Sequence, residues 1–186
     1  MTQPYPTYEL KIAGLTRYLP ICPVDEHLDI AGFVIFSDVE LTIACATDLL
    51  KILSDSSVDY DVLLTAESKG IPLAYEMSRQ SGKKYILARK GKKLYMRDPV
   101  AVDVKSITTE KIQTLYLDAG DMEYLNGKRI LLVDDVVSTG ESMAAMEELC
   151  RIAGGTVAGK AAILAEGDAA DRKDLIYLEK LPLFFK

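Results

Sequence analysis

Two adjacent carboxylates, Asp134 and Asp135, follow an apolar run, Ile130-Leu131-Leu132-Val133, and precede a loop of small and hydroxyl residues, Val136-Val137-Ser138-Thr139-Gly140-Glu141-Ser142. The unbroken apolar run marks a strand buried on both faces of a parallel sheet, and the acid pair is expected to end it. From Ser142 onward, Met143, Met146, Leu149, Cys150 and Ile152 keep helical spacing, and Gly154-Gly155 stops the helix. A strand that passes through such a loop into a helix N-terminus offers two subsites. Backbone N–H groups and the helix dipole favour a phosphate, while the neighbouring carboxylates accept hydrogen bonds from sugar hydroxyls. The ligand expected is therefore a sugar phosphate. A Walker A loop needs Gly-Lys before its Ser or Thr, and here Gly140 is followed by Glu141, which argues against nucleotide hydrolysis. A receiver-type phosphoacceptor would carry its acid pair near the start of the chain, which position 134 of 186 does not match.

Two further polar stretches lie where an open α/β sheet would collect a ligand. Val58 to Leu64 reads as the first core strand, followed by Thr65-Ala66-Glu67-Ser68-Lys69-Gly70 and a helix over 71–81. Tyr85 to Ala88 reads as the next strand, inside a stretch from Lys83 to Arg97 that holds seven basic residues and no acid. In an acidic chain, that concentration of charge suggests a polyanionic ligand for Arg89, Lys90, Lys92 and Lys93. Ser37 or Asp38 caps a helix running to about Leu53. Residues 98–110 form a polar loop, with an edge hairpin as the other reading, and strand alternation resumes over 112–117. Residues 156–164 form another core strand. The first 23 residues suggest a short extended pair turning at Ala13-Gly14, and YLEKLPLFF near the end suggests a strand or tucked segment beside it.

The chain has 186 residues, 49% of them hydrophobic, enough for one domain with a sizeable core. Its formal charge of -6 disfavours a general nucleic-acid surface. Cys22, Cys45 and Cys150 are scattered, with His27 as the single imidazole, which suits neither a disulfide framework nor a zinc site. No apolar run approaches membrane-spanning length and the first six residues are polar, so a cytoplasmic protein is expected, with no membrane partner.

The decapeptide Val133 to Ser142 resembles the phosphoribosyl-pyrophosphate (PRPP) signature of type I phosphoribosyltransferases. The chain looks most like the adenine and xanthine members, the related domain of the purine operon repressor and bacterial proteins known only as phosphoribosyltransferase-related. The resemblance implies a central, mostly parallel sheet flanked by helices, with a small hood from residues 1–36 and 168–186, a core over 37–167 and a flexible loop over about 91–112. It implies that Asp134 and Asp135 hold the ribose hydroxyls, that Ser138, Thr139, Gly140, Glu141 and Ser142 wrap the 5-phosphate after Val136 and Val137, and that Glu67, Ser68, Lys69 and Gly70 form the pyrophosphate loop. Lys69 stands where adenine enzymes carry Arg, and Glu67-Ser68 is the expected cis peptide. Arg89, Lys90 and Lys93 would meet pyrophosphate, reaching into a second subunit of a homodimer.

The implied reaction is magnesium-dependent transfer of 5-phosphoribosyl from PRPP to a purine base, adenine being favoured, to give a nucleoside monophosphate and pyrophosphate in purine salvage. Asp134, Asp135, Lys69, Arg89 and Lys93 would carry it, with Mg2+ held by PRPP near Asp134 and Asp135 and no direct protein metal site. The loop of adenine enzymes supplies a Glu for proton transfer. Here Thr109 or Glu110 falls near that position, and the strand over 111–117 looks like that of the repressor domain. The alternative function is therefore a non-catalytic PRPP- or nucleotide-binding regulatory module.

Overall fold

The computed structural model describes residues 6–104 and 113–186. Five parallel strands form the central sheet: β4 (Val62–Ala66), β5 (Tyr85–Ala88), β8 (Arg129–Val137), β9 (Thr156–Glu166) and β10 (Ile176–Leu181). Their spatial order is β10-β9-β8-β4-β5, so the winding direction reverses between β4 and β8. That reversal opens a crevice beyond the carboxyl ends of the two strands, because their following connections leave to opposite faces. Every residue of β4 is buried, as a strand between two helical layers requires.

Helices α1 (Val39–Asp55) and α2 (Ile71–Ser81) cover one face, and α3 (Ala119–Leu125) and α4 (Glu141–Ala153) the other. Asp38 caps α1 by accepting a 3.1 Å hydrogen bond from the Leu41 N–H. Gly154, at φ +75°, ends α4 in the left-handed conformation that glycine adopts without strain. The N-terminal hairpin β1 (Thr7–Ile12) and β2 (Leu15–Pro23) turns at Ala13-Gly14, both at positive φ. With β3 (Leu28–Ala31) and β11 (Leu183–Phe185) it makes a separate antiparallel sheet in the order β1-β2-β3-β11. Leu10, Ile12 and Leu19 bury its inner face against the α1 side of the core.

Three expectations need correction. The acid pair does not end its strand: β8 stays paired with β9 through Val137, although its ladder with β4 stops at Val133. Backbone pairing on one side is enough to carry two carboxylates past the end of the shorter neighbour. The segment 168–186 is not all hood, since β10 adds a fifth strand to the central sheet and only β11 crosses to the small one. Apolar positions at Ile176, Leu178 and Leu181 packed in the α1-side core account for this. The segment expected as a loop over about 91–112 is partly strand, in line with the edge-hairpin alternative: β6 (Val100–Val104) pairs antiparallel with β7 (Gln113–Leu117). Cross-strand partners such as Val102 and Leu115 suit β-branched and aliphatic side chains, which the polar neighbours masked in the sequence.

Candidate active site

The extension of β8 places Asp134 and Asp135 where one sheet neighbour has ended and the other continues. Asp135 is 3% exposed, and among the described residues its Oδ2 has no hydrogen-bond donor. Lys69 Nζ lies 3.4 Å from that oxygen, close enough for charge attraction but without hydrogen-bond geometry. The Asp135 N–H donates to Asp134 Oδ1 at 2.9 Å. Burial, and the carboxylate of Asp135 beside it, hold the Asp134 carboxyl well above the usual carboxylate range, with Lys69 opposing the shift. Two like charges and one cation thus face a crevice whose natural complement is a ligand rich in hydroxyl donors.

Gly70 makes the close approach of the two loops possible. A Cβ at this position would run into Thr65 Oγ1 and stand 3.1 Å from Asp134 Oδ1. Thr65 is fully buried, and among the described residues its hydroxyl oxygen has no hydrogen-bond partner. The preceding peptide, Glu67-Ser68, is cis, as the resemblance implied. Glu67 meets the basic stretch rather than open space: Arg89 Nη1 donates to its Oε1 at 2.8 Å, and the Lys90 N–H to its Oε2 at 2.9 Å. Arg89 also bonds the Tyr95 hydroxyl.

The loop after β8 forms a cavity of about 50 Å3 lined by Asp134 and residues 136–143. Ser138 and Thr139 are exposed, and Gly140, at φ +80°, is the N-cap of α4. A Cβ on Gly140 would collide with the Arg172 guanidinium, which Asp174 holds in place through hydrogen bonds of 3.0 and 2.9 Å. First-turn N–H groups at a glycine-opened helix start suit a phosphate in size and charge.

A larger cavity of about 660 Å3 adjoins this loop, lined by Ser138 and Thr139, the small sheet and the segment after β9. Val24, Leu28, Ile30, Leu183 and Phe185 supply its apolar wall, and Glu166, Asp168 and Arg172 its polar one. Its size falls within the range of small-molecule sites, about 300–1,000 Å3.

The structure brings Lys69, Gly70, Asp134 and Asp135 together, and sets the 138–142 loop beside Asp134. Arg89 and Lys90 are tied to Glu67 as a second group. The Lys90 and Lys93 side chains have no hydrogen bond or ion pair among the described residues. Among those residues, no cluster of three or more Asp, Glu, His or Cys side chains stands at metal-holding distance. Thr109 and Glu110 lie outside the described residues. Thr65, Glu166 and Arg172 were missed in the sequence. Thr65 and Glu166 sit in or at the end of core strands, where the crevice rule could have flagged them; Arg172 gave no such signal.

A doubly wound sheet with paired carboxylates and a phosphate-type loop at its switch point defines a class of α/β protein whose ligand lies beyond the carboxyl ends of β4 and β8. The particular family follows from residues 38–180, which match the phosphoribosyl transferase domain model, and the chain belongs to that family. Over 121 residues it is 34% identical to an adenine phosphoribosyltransferase of Rubrobacter xylanophilus, covering 64% of this chain and 62% of that protein. It is 31% identical to a hypoxanthine/guanine phosphoribosyltransferase of Methanothermococcus okinawensis, covering 65% and 62%. To the purine biosynthesis transcriptional repressor of Bacillus subtilis it is 29% identical, over 62% of this chain and 39% of the repressor. The match thus spans just over three fifths of the first two relatives. The fold is shared with the adenine phosphoribosyltransferase of Thermoanaerobacter pseudethanolicus, with a TM-score of 0.72 at 19% identity, covering 87% of this chain and 95% of that one.

Proposed function

We propose that the chain transfers the 5-phosphoribosyl group of PRPP to a purine base, adenine being favoured, and releases pyrophosphate and a nucleoside monophosphate for purine salvage. The observation that carries this reading is the acid pair on β8, in which the buried Asp135 faces Lys69 and the half-buried Asp134 lines the cavity of the 138–142 loop. In the reaction the anomeric C–O bond breaks, its electron pair leaves with pyrophosphate, a base nitrogen bonds to the anomeric carbon, and the base loses a proton. The positive charge that develops on the sugar ring calls for fixed negative groups. Asp134 and Asp135 provide them while accepting hydrogen bonds from the ribose hydroxyls. The N–H groups at Ser138 to Ser142 anchor the phosphate, so that the sugar cannot rotate away from the acceptor. Lys69 and Arg89 balance the charge of the leaving pyrophosphate, with Lys90 and Lys93 as further cations on the same stretch.

The acid pair also suits Mg2+ carried by PRPP, since two neighbouring carboxylates, one of them lining the cavity of the 138–142 loop, favour a divalent cation close by without holding it directly. When bound with PRPP, magnesium supplies positive charge to the pyrophosphate and ribose oxygens. The 660 Å3 cavity between the small sheet and the 138–139 segment is the place for the base.

The homodimer belongs to the same proposal: exposed Val34, Phe36, Val39, Ile43 and Tyr75 gather around the apolar groove between α1 and α2. So does a cytoplasmic location; among the described residues no helix is long and apolar enough to cross a membrane. Calorimetric titration with PRPP and magnesium, then with adenine, hypoxanthine, guanine and xanthine while pyrophosphate is recorded, tests the reading. Release with one base establishes the transferase. PRPP binding without release favours the regulatory module, which the likeness to the repressor supports. No PRPP binding overturns both.

A further inference from the structure

Glu166 closes β9 at the polar wall of the large cavity, opposite the apolar side chains of Leu28, Ile30 and Phe185. It is half-buried, and among the described residues its carboxylate has no hydrogen bond and no ion pair. Lys69 is near enough to favour its charged form, yet burial outweighs this and raises its pKa. A carboxylate taken partly out of water with no donor is costly unless a ligand supplies one. The same cavity includes Ser138 and Thr139, so a molecule whose phosphate sits in the 138–142 loop would extend its other end toward this wall.

We infer that Glu166 reads the hydrogen-bond edge of the acceptor base and selects purines that carry an exocyclic amino group. The inference rests on the transferase or nucleotide-binding reading of the site and names what that site prefers. An ionised carboxylate only accepts hydrogen bonds. Guanine offers it the N1–H and N2–H donors side by side, and adenine offers its N6 amino group. Xanthine places a carbonyl oxygen on each side of its N1–H, so a carboxylate meets at least one acceptor. Leaving a buried polar group facing another acceptor is how a site rejects an analogue strongly. Hydrogen bonds to a charged group give a discrimination of about tenfold to a hundredfold.

The test is calorimetric binding of the three nucleoside monophosphates AMP, GMP and XMP, with IMP as GMP lacking its amino group, to the wild-type chain and to Glu166→Gln. The wild type is expected to bind GMP or AMP about ten to a hundred times more tightly than XMP, with IMP weaker than GMP. Glu166→Gln, whose amide can also donate, should bring that ratio to within about threefold. Binding of XMP by the wild type as tight as that of both AMP and GMP overturns the inference without any variant, and so does an unchanged ranking in a folded Glu166→Gln. Glu166→Asp keeps the acceptor and should keep the order of preference. Pyrophosphate release from PRPP is scored separately. The expected nucleotide ranking without release removes the transferase reading and leaves this one standing, whereas release with an unchanged ranking in Glu166→Gln does the reverse.

Discussion

Replacing Asp134 by Asn should stabilise the ligand-free protein while weakening the sugar site proposed there. The Asp134 carboxyl is pushed upward first by burial and then by the neighbouring Asp135 charge. An aspartate whose native pKa lies above its unfolded value binds its proton more tightly in the folded state. Its contribution is therefore fully present at low pH and declines as pH rises from about 4 toward the raised native value, at up to about 1.4 kcal/mol per pH unit. Between about pH 4 and the raised native value of about 7, in which the opposing effect of Lys69 is already included, that slope sets an upper bound of about 4 kcal/mol on the loss by pH 8. Asn keeps the shape and removes the charge, so Asp134→Asn should lose this slope. Near pH 8 it should melt roughly 2–4 °C higher for each kcal/mol recovered, the scaling for a chain of this size. Urea unfolding of both proteins from about pH 4 to about pH 8, without ligand, measures it. Asp38, Asp61 and Asp174, whose pKa values are lowered by their Arg and Lys partners, raise both curves near pH 4, so the test is the difference between them: an Asn variant that keeps the wild-type slope refutes the electrostatic account of the acid pair. The same variant should bind PRPP at least about tenfold more weakly, because one acceptor for the ribose hydroxyls has become a partial donor.

Lys69→Met should weaken PRPP binding about tenfold to a hundredfold by calorimetry, the scale of one charge-assisted contact, and Lys69→Arg should restore most of it. Gly140→Ala meets both the positive φ and the Arg172 guanidinium, so it should cost roughly 1–2 kcal/mol in urea unfolding and open the phosphate loop. Its PRPP affinity should fall more than its stability alone predicts. Leu131→Ala truncates a fully buried side chain on the same strand as the acid pair. It should cost about 2–5 kcal/mol, and the refolded protein should keep its affinity for PRPP, which separates packing from binding.

The sequence made the central elements legible because each carried two agreeing signals. The strands read at Val58–Leu64 and Ile130–Val133 and the helices after Gly70 and Gly140 combine apolar runs, glycine-bearing loops and helical spacing, and the structure has an element at each, although β4 runs from Val62 to Ala66, so that it begins later and takes in Thr65 and Ala66, which were read as loop. The loops bearing Glu67–Gly70 and Ser138–Ser142 were visible for the same reason: small, hydroxyl and charged residues interrupted otherwise apolar runs. The end of β8 was misread because a strand's limit depends on its neighbours, and the persistence of β9 beside Asp134 to Val137 cannot be seen in β8 itself. Likewise Ile176–Leu181 alternates like many short strands, and nothing local says which sheet it joins. Arg172 and Glu166 were hidden because their roles come from contacts between separate elements: one reaches Gly140, and the other reaches a cavity walled by Val24, Leu28 and Ile30, more than a hundred positions away in sequence, together with Leu183 and Phe185 of β11.

The same long-range assembly explains why the site combines stable and unfavourable features. The strands and helices beneath it are buried and continuous, so they tolerate an orphan oxygen on Asp135, another on Thr65 and an unpaired carboxylate on Glu166. Each of these groups would be better satisfied in water, and none is required by packing. Glu166 lines the larger of two adjoining cavities and Asp134 the smaller, the one suited to a flat heterocycle and the other to a phosphate, with Asp135 next to Asp134 on β8. A ligand that fits both cavities would meet the carboxylates of Glu166 and Asp134 at once. Binding should therefore raise the melting temperature most for the molecule that spans both, a nucleoside monophosphate, and less for ribose 5-phosphate at equal saturation. Thermal melts with each ligand at matched multiples of its dissociation constant would expose any contribution beyond mass action. Equal shifts would mean that the orphan groups are indifferent to the ligand and that the two cavities do not act as one site.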